Sequence, residues 1–175
     1  MIIVVTGPTR SGKSVVAEQI ASTSTAPVTY VATADVADDD MAARVELHRE
    51  RRPEAWSTVD SGADLAATID DLSGTLLVDS IGTWIARTWD GESFAPDIDA
   101  LVAAVTARTG DTIIVAEQVG WSTHAADAAT RRWVDLVGEA TRRLADVADR
   151  VLLVVAGRAV DLVDTALPSL AEGPR

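Results

Sequence analysis

The chain contains no cysteine, which excludes disulfide bonds and thiolate-held metals. Histidines number only two, His48 and His124, and His124 follows Gly120-Trp121-Ser122-Thr123 without neighbours spaced for metal coordination. No apolar run approaches the roughly 20 residues that a membrane-spanning helix needs. A basic leader region and a small-residue cleavage site are also missing ahead of the apolar run at Ile2, so the expected location is the cytoplasm. Aromatic rings other than indoles are scarce, with one Phe and one Tyr against five Trp. Trp84 and Trp133 fall in helical stretches and are expected in the core. Trp56, Trp89 and Trp121 fall in or near loops, where an indole can stack on a base or line a substrate surface. Positive charge is short too: 15 Lys and Arg stand against 27 Asp and Glu, a net charge of −12. That balance disfavours nonspecific binding to nucleic acid, which rests on cations neutralising phosphates.

What is present is enough apolar material for one domain with a core, 47% of 175 residues. Five short, continuously apolar runs recur, Ile2–Val5, Val28–Ala32, Thr75–Val78, Thr112–Ala116 and Val151–Val155, as expected of strands covered on both faces. Between them, Ser14–Ala21, Asp38–Arg51, Ala63–Leu72, Ile98–Ala107 and Ala126–Val147 carry helical spacing. Asp38-Asp39-Asp40 caps the second of these, Pro53 ends it, and Thr109-Gly110-Asp111 reads as a turn. Strand and helix alternate, which predicts a mostly parallel sheet with helices on both faces. One domain is expected over residues 1–165, followed by a loosely held tail at 166–175 that contains two prolines and a glycine.

The first strand runs directly into Gly7-Pro8-Thr9-Arg10-Ser11-Gly12-Lys13-Ser14, a match to the phosphate-loop pattern G-x-x-x-x-G-K-[ST]. A glycine-rich turn between strand and helix points successive amides into one concavity, and the helix adds the positive end of its dipole. Lys13 would reach the β- and γ-phosphates and Ser14 would ligate Mg²⁺. The expected fold is therefore α/β, P-loop NTPase-like and of the RecA-like kind. In such sheets ligands bind beyond the carboxyl ends of the strands, which nominates Thr33-Ala34-Asp35, Asp79-Ser80, Glu117-Gln118 and Gly157-Arg158. Asp79 has the position of the acid that assists Mg²⁺ binding in P-loop proteins, or of a helix cap. Together these residues are equipment for phosphoryl transfer, and they do not name an acceptor.

Two further features stand out. Arg44, Arg49, Arg51 and Arg52 face only Glu46 and Glu50 across nine residues, which reads either as a solvated helix with i,i+4 pairs or as a local anion-binding patch. On the same helix Met41, Val45, His48 and Arg52 share a stripe. A neutral imidazole there is a competent nucleophile toward phosphorus, flanked by guanidiniums that would neutralise the attacked phosphate; a surface or half-buried histidine is the alternative.

Several of these segments resemble the bifunctional adenosylcobinamide kinase / adenosylcobinamide-phosphate guanylyltransferase family. The resemblance runs from Met1 to about Leu162. It rests on Thr6–Ser14, Tyr30-Val31-Ala32-Thr33, Met41-Ala42-Ala43-Arg44 with His48-Arg49, Arg52-Pro53 with Trp56, Asp79-Ser80-Ile81-Gly82-Thr83-Trp84, and Val119-Gly120. It implies phosphorylation of the aminopropanol hydroxyl of adenosylcobinamide by a nucleoside triphosphate, ATP or GTP. Transfer of GMP from GTP to the new phosphate follows, through a guanylylated histidine that falls on His48. It also implies nucleotide contacts from Ala32, Thr33 and Ala34, from Arg49, Glu50, Arg51 and Arg52, and from Asp60, which replaces a Glu, together with a homotrimer. The chain departs from the family at Glu117–Ala125, where an Asn-Glu-Val-Gly and Gly-Ile-Val-Pro-like stretch is usual; this bears on acceptor binding more than on nucleotide binding. Packed as an ordinary crossover helix, residues 38–51 would carry His48 about 15 Å from Asp38 at 1.5 Å per residue. A nucleophile must approach to about 3–3.5 Å, so the helix is expected to project toward the phosphate loop or to help build a site between subunits.

Overall fold

The computed structural model describes residues 1–35, 45–46, 49–89, 96–121 and 127–163. His48, His124, most of the expected 38–51 helix and the 166–175 tail lie outside the described residues. The elements, in chain order, are β1 Ile2–Gly7, α1 Lys13–Ala21, β2 Val28–Ala32, β3 Ser57–Asp60, α2 Leu65–Asp70 and β4 Thr75–Asp79. They continue with α3 Ile81–Thr88, α4 Ile98–Ala107, β5 Thr112–Glu117, α5 Ala128–Val147, β6 Arg150–Val155 and β7 Arg158–Leu162. Val45–Glu46 and residues 49–51 are helical as well.

The strands form one seven-stranded sheet in the order β3-β2-β4-β5-β1-β6-β7, parallel throughout except for the antiparallel β6–β7 edge. All five apolar runs are strands, and their continuous hydrophobicity is explained by two cores. On one face α2 to α5 cover Val4, Val31, Val78, Ile114 and Ala116; on the other α1 covers Ile3, Val5, Leu77, Ile113 and Val115. Two strands carry no such signature. In β3 every residue is exposed or half-buried, and in β7 every residue is exposed, because each lies at a sheet edge where alternation and apolarity are not demanded.

Helix starts follow cap chemistry. Asp64, Asp97 and Asp127 each accept a hydrogen bond from the amide three residues on, at 3.0, 2.9 and 2.7 Å, satisfying donors that the first turn leaves open. This shortens the expected 63–72 and 126–147 helices at their starts. Beyond α2, the Arg108 guanidinium donates to the carbonyls of Ile69, Leu72 and Gly74, and burial lowers its proton affinity.

The crossover after β1 runs over one face through α1, and the chain after β5 returns over the other through α5. β1 and β5 are neighbours, with Gly7 opposite Glu117. The crevice at their carboxyl ends is therefore the place where an open α/β sheet binds ligands.

Candidate active site

β1 delivers the chain to a loop that tolerates no side chain at its entrance. A Cβ on Gly7 would lie 2.5 Å from the Val154 carbonyl oxygen and 2.6 Å from Ser11 Oγ. The loop closes through Ser11 N–H to Pro8 O at 3.2 Å, and Gly157 N–H donates to Ser11 O at 2.8 Å from the β6–β7 turn. Gly12 caps α1 at φ 92°, a conformation open to glycine at little cost. Lys13 and Ser14 then begin the helix, so the unpaired amides and positive end of α1 face the space into which both side chains project.

Across that space, Ser14 Oγ donates to Asp79 Oδ1 at 3.3 Å, and the Tyr30 hydroxyl donates to Asp79 Oδ2 at 3.2 Å. A hydroxyl and a carboxylate are hard oxygen donors of the kind Mg²⁺ takes one or two at a time, its remaining positions filled by water and phosphate. The described residues contain no group of three or more His, Cys, Asp and Glu able to hold a metal by themselves.

The arginine segment forms the opposite wall. Arg51 makes a two-pronged pair with the buried Glu18 of α1, Nε to Oε2 at 3.1 Å and Nη2 to Oε1 at 3.0 Å, and this hydrogen bonding raises its proton affinity. Arg52 stacks on Tyr30, 3.8 Å from the ring centroid, and donates to Thr58 Oγ1 at 3.2 Å. Burial, and next the Asp79 carboxylate, push the Tyr30 phenol well above its ordinary value. Asp60 accepts from Gly62 N–H at 2.7 Å and pairs with Arg87 at 2.5 Å. Those bonds, the Gly62 amide foremost, hold its carboxyl below the usual range.

These walls enclose a cavity of about 840 Å³, lined by Lys13, Ser14 and Asp79 on one side and by Val45, Arg49, Arg51 and Arg52 on the other. Its size falls within the range of small-molecule sites. A smaller cavity of about 360 Å³, lined by Met1, Thr25, Gly110 and Asp111 among others, lies at the amino ends of the strands, away from the phosphate loop.

Of the residues nominated from sequence, Thr9, Arg10, Gly12, Lys13, Ser14, Ala32, Ala34, Arg49, Arg51, Arg52, Asp60 and Asp79 line this cavity. Gly7, Pro8 and Ser11 build the loop beneath it. Thr33 is fully buried, accepting from Ser80 N–H at 2.7 Å and paired with Thr83 Oγ1 at 2.6 Å; it shapes the turn after Asp79. Glu50 is exposed and Arg158 points from the edge strand. Glu117 accepts from Ser80 Oγ at 2.5 Å and from Gly82 N–H at 2.7 Å, tying the α3 start to β5. Ser80 is the N-cap of α3, which leaves Asp79 free of that duty. Sequence reasoning passed over Glu18 and gave Tyr30 no role. An acid beside Ala17 and Ala21 on the buried face of α1 was a usable signal for Glu18. Trp84 is core; Trp56, Trp89 and Trp133 pack partly buried against the two cores; Trp121 is 63% exposed.

A family model described as "Cobinamide kinase / cobinamide phosphate guanyltransferase" matches residues 3–162. The chain is 33% identical to the bifunctional adenosylcobalamin biosynthesis protein CobP of Pseudomonas aeruginosa over 86% of this chain and 91% of that one. It is 32% identical to the bifunctional adenosylcobalamin biosynthesis protein CobU of Escherichia coli (strain K12), over 93% and 99%. Among solved structures, a prototypical ATPase from the type III secretion system of pathogenic bacteria aligns with a TM-score of 0.53 at 12% identity, covering 87% of this chain and 50% of that one. The flagellar accessory protein FlaH from Methanocaldococcus jannaschii aligns at 0.51 and 15% identity, covering 90% and 74%. These two likenesses establish the P-loop fold alone.

Proposed function

We propose the following course for the two reactions of this chain, which belongs to the cobinamide kinase / cobinamide phosphate guanyltransferase family. In the first, the aminopropanol hydroxyl of adenosylcobinamide attacks the γ-phosphorus of ATP or GTP. The bond to the β,γ-bridging oxygen breaks, a nucleoside diphosphate leaves, and the hydroxyl proton is given up to water. Lys13 and the N-terminus of α1 hold the phosphates and neutralise their oxygens, which is most of what catalysis of phosphoryl transfer requires. Ser14 and Asp79 would hold Mg²⁺, which when bound supplies further neutralisation of oxygen charge.

In the second reaction an imidazole nitrogen of His48 attacks the α-phosphorus of GTP and pyrophosphate leaves. A phosphate oxygen of cobinamide phosphate then attacks the same phosphorus, the P–N bond breaks, and adenosyl-GDP-cobinamide forms. Arg52 neutralises the phosphate under attack, and Arg49 and Arg51 line the same approach. The protein works in the cytoplasm as a homotrimer.

The observation that carries this reading is one cavity lined both by the phosphate loop with Asp79 and by Val45 and Arg49, three residues before and one after position 48. Incubation with α-labelled GTP and Mg²⁺ tests it. The expected result is acid-labile, base-stable label on the protein, lost in His48→Ala. Absence of label with cobinamide phosphorylation intact would reduce the chain to a kinase. Absence of both would leave a nucleotide-dependent regulatory protein on the same fold.

A further inference from the structure

Tyr30 is 6% exposed in the middle of β2, opposite Leu77 of β4 and two residues before the Ala32–Asp79 pair. Its ring lies in the core that α1 covers. Such a position asks only for an apolar side chain, and a phenol there carries a hydroxyl that must find a partner. That partner is Asp79 Oδ2, at 3.2 Å, while Asp79 Oδ1 receives Ser14 Oγ at 3.3 Å. The two bonds occupy different oxygens of one carboxylate, which fixes its rotation with Oδ1 toward the phosphate loop. The outer face of the same ring carries the Arg52 guanidinium at 3.8 Å.

We propose that Tyr30 is the positioning residue that joins the two halves of the site, aiming the Asp79 carboxylate with its hydroxyl and seating Arg52 with its ring. The Glu18–Arg51 pair fastens the arginine segment to α1, and the Arg52–Tyr30 stack fastens it to β2. Between those two attachments the segment is held beside Lys13 and Ser14. The residue lines the same cavity and acts through Asp79 and Arg52. It depends on the functional reading only in the use made of those two groups.

The test separates hydroxyl from ring. Tyr30→Phe keeps the ring under Arg52 and removes the donor to Asp79; Tyr30→Met keeps apolar bulk and removes both. Binding of a fluorescent GTP analogue is titrated against Mg²⁺ and, separately, measured in EDTA. Tyr30→Phe is expected to raise the Mg²⁺ concentration for half-maximal binding about tenfold, the lower range for loss of a residue that orients a metal ligand. Its affinity in EDTA stays as in the parent, and excess Mg²⁺ restores binding. Tyr30→Met is expected to add a several-fold loss of affinity in EDTA. If Tyr30→Met melts below the assay temperature, Arg52→Lys carries that arm, since an ammonium does not reproduce a stacked guanidinium. An unchanged Mg²⁺ requirement in Tyr30→Phe would overturn the role of the hydroxyl. EDTA affinity unchanged by loss of the ring, or of the guanidinium on it, would overturn the seat. Because binding needs no cobinamide, a chain that binds GTP but takes no label would sink the functional reading and still decide this one.

Discussion

Tyr30 is the single tyrosine of the chain, so its ionisation can be followed by absorbance without a competing phenol. Burial and the neighbouring Asp79 raise its proton affinity against the lowering effect of Arg52, with Glu18 adding a smaller push upward. A free phenol titrates near pH 10. Because the folded value is raised above the unfolded one, the stabilisation linked to this proton is complete below about pH 10 and is lost as pH rises further. Tyrosinate absorbance is accordingly expected to stay absent just above pH 10 while the far-ultraviolet circular dichroism is intact, and to appear together with unfolding. A transition near pH 10 in the still-folded protein would contradict the buried, hydrogen-bonded phenol. Residue by residue, legibility followed locality. Lys13, Ser14 and Asp79 were readable because a strand, a motif and a strand end declare them. Tyr30 sits in a run that reads as plain strand, and what gives it a role is a carboxylate on β4 and the guanidinium of Arg52, both distant in sequence.

Among the elements, α3 shows how the strand-five edge serves the site. The Glu117 carboxylate is bonded to Ser80 and to the Gly82 amide. A Cβ at Gly82 would lie 2.3 Å from Glu117 Oε2, with Trp133 3.2 Å away, so a side chain there must push the Glu117 carboxylate off its bonds. Gly82→Ala is expected to destabilise the protein by about 1–3 kcal/mol through overpacking, read from the midpoint of a urea melt. An unchanged midpoint would mean that the α3 start is looser than this. The expected strands and helices were largely found because two covered faces impose continuous apolar runs and aspartates mark helix starts. β3 and β7 were not anticipated, being edges with little to bury; α3 was read only through Trp84 in a helical stretch, without bounds, because it is an eight-residue helix opened by a serine directly after a strand.

At the scale of the molecule, a strongly acidic chain gathers cations where a triphosphate must sit. Arg10, Lys13, Arg49, Arg51 and Arg52 share one cavity, although the net charge is −12. Sequence spacing exposed the arginine cluster, but only the three-dimensional path joins it to the phosphate loop. The loop in turn depends on the β6–β7 turn beside it, through the Gly157 amide on Ser11 O. Gly157 has φ 72°, and no atom lies within 4 Å of the position its Cβ would take. Gly157→Ala is therefore a test of backbone alone, costing about 1–2 kcal/mol of left-handed strain. It is expected to weaken GTP-analogue binding several-fold although residue 157 lines no part of the cavity. Nucleotide affinity equal to the parent, with the loss of stability confirmed, would mean that the loop holds its shape without the turn.

The phosphate loop is thus contiguous in the chain and assembled from two distant parts of it. Its eight letters supply the amides, but the Val154 carbonyl and the Gly157 turn supply the floor against which they are pressed. A chain cut before β6 would keep the motif letter for letter and lose the mould that gives it an anion-sized curve.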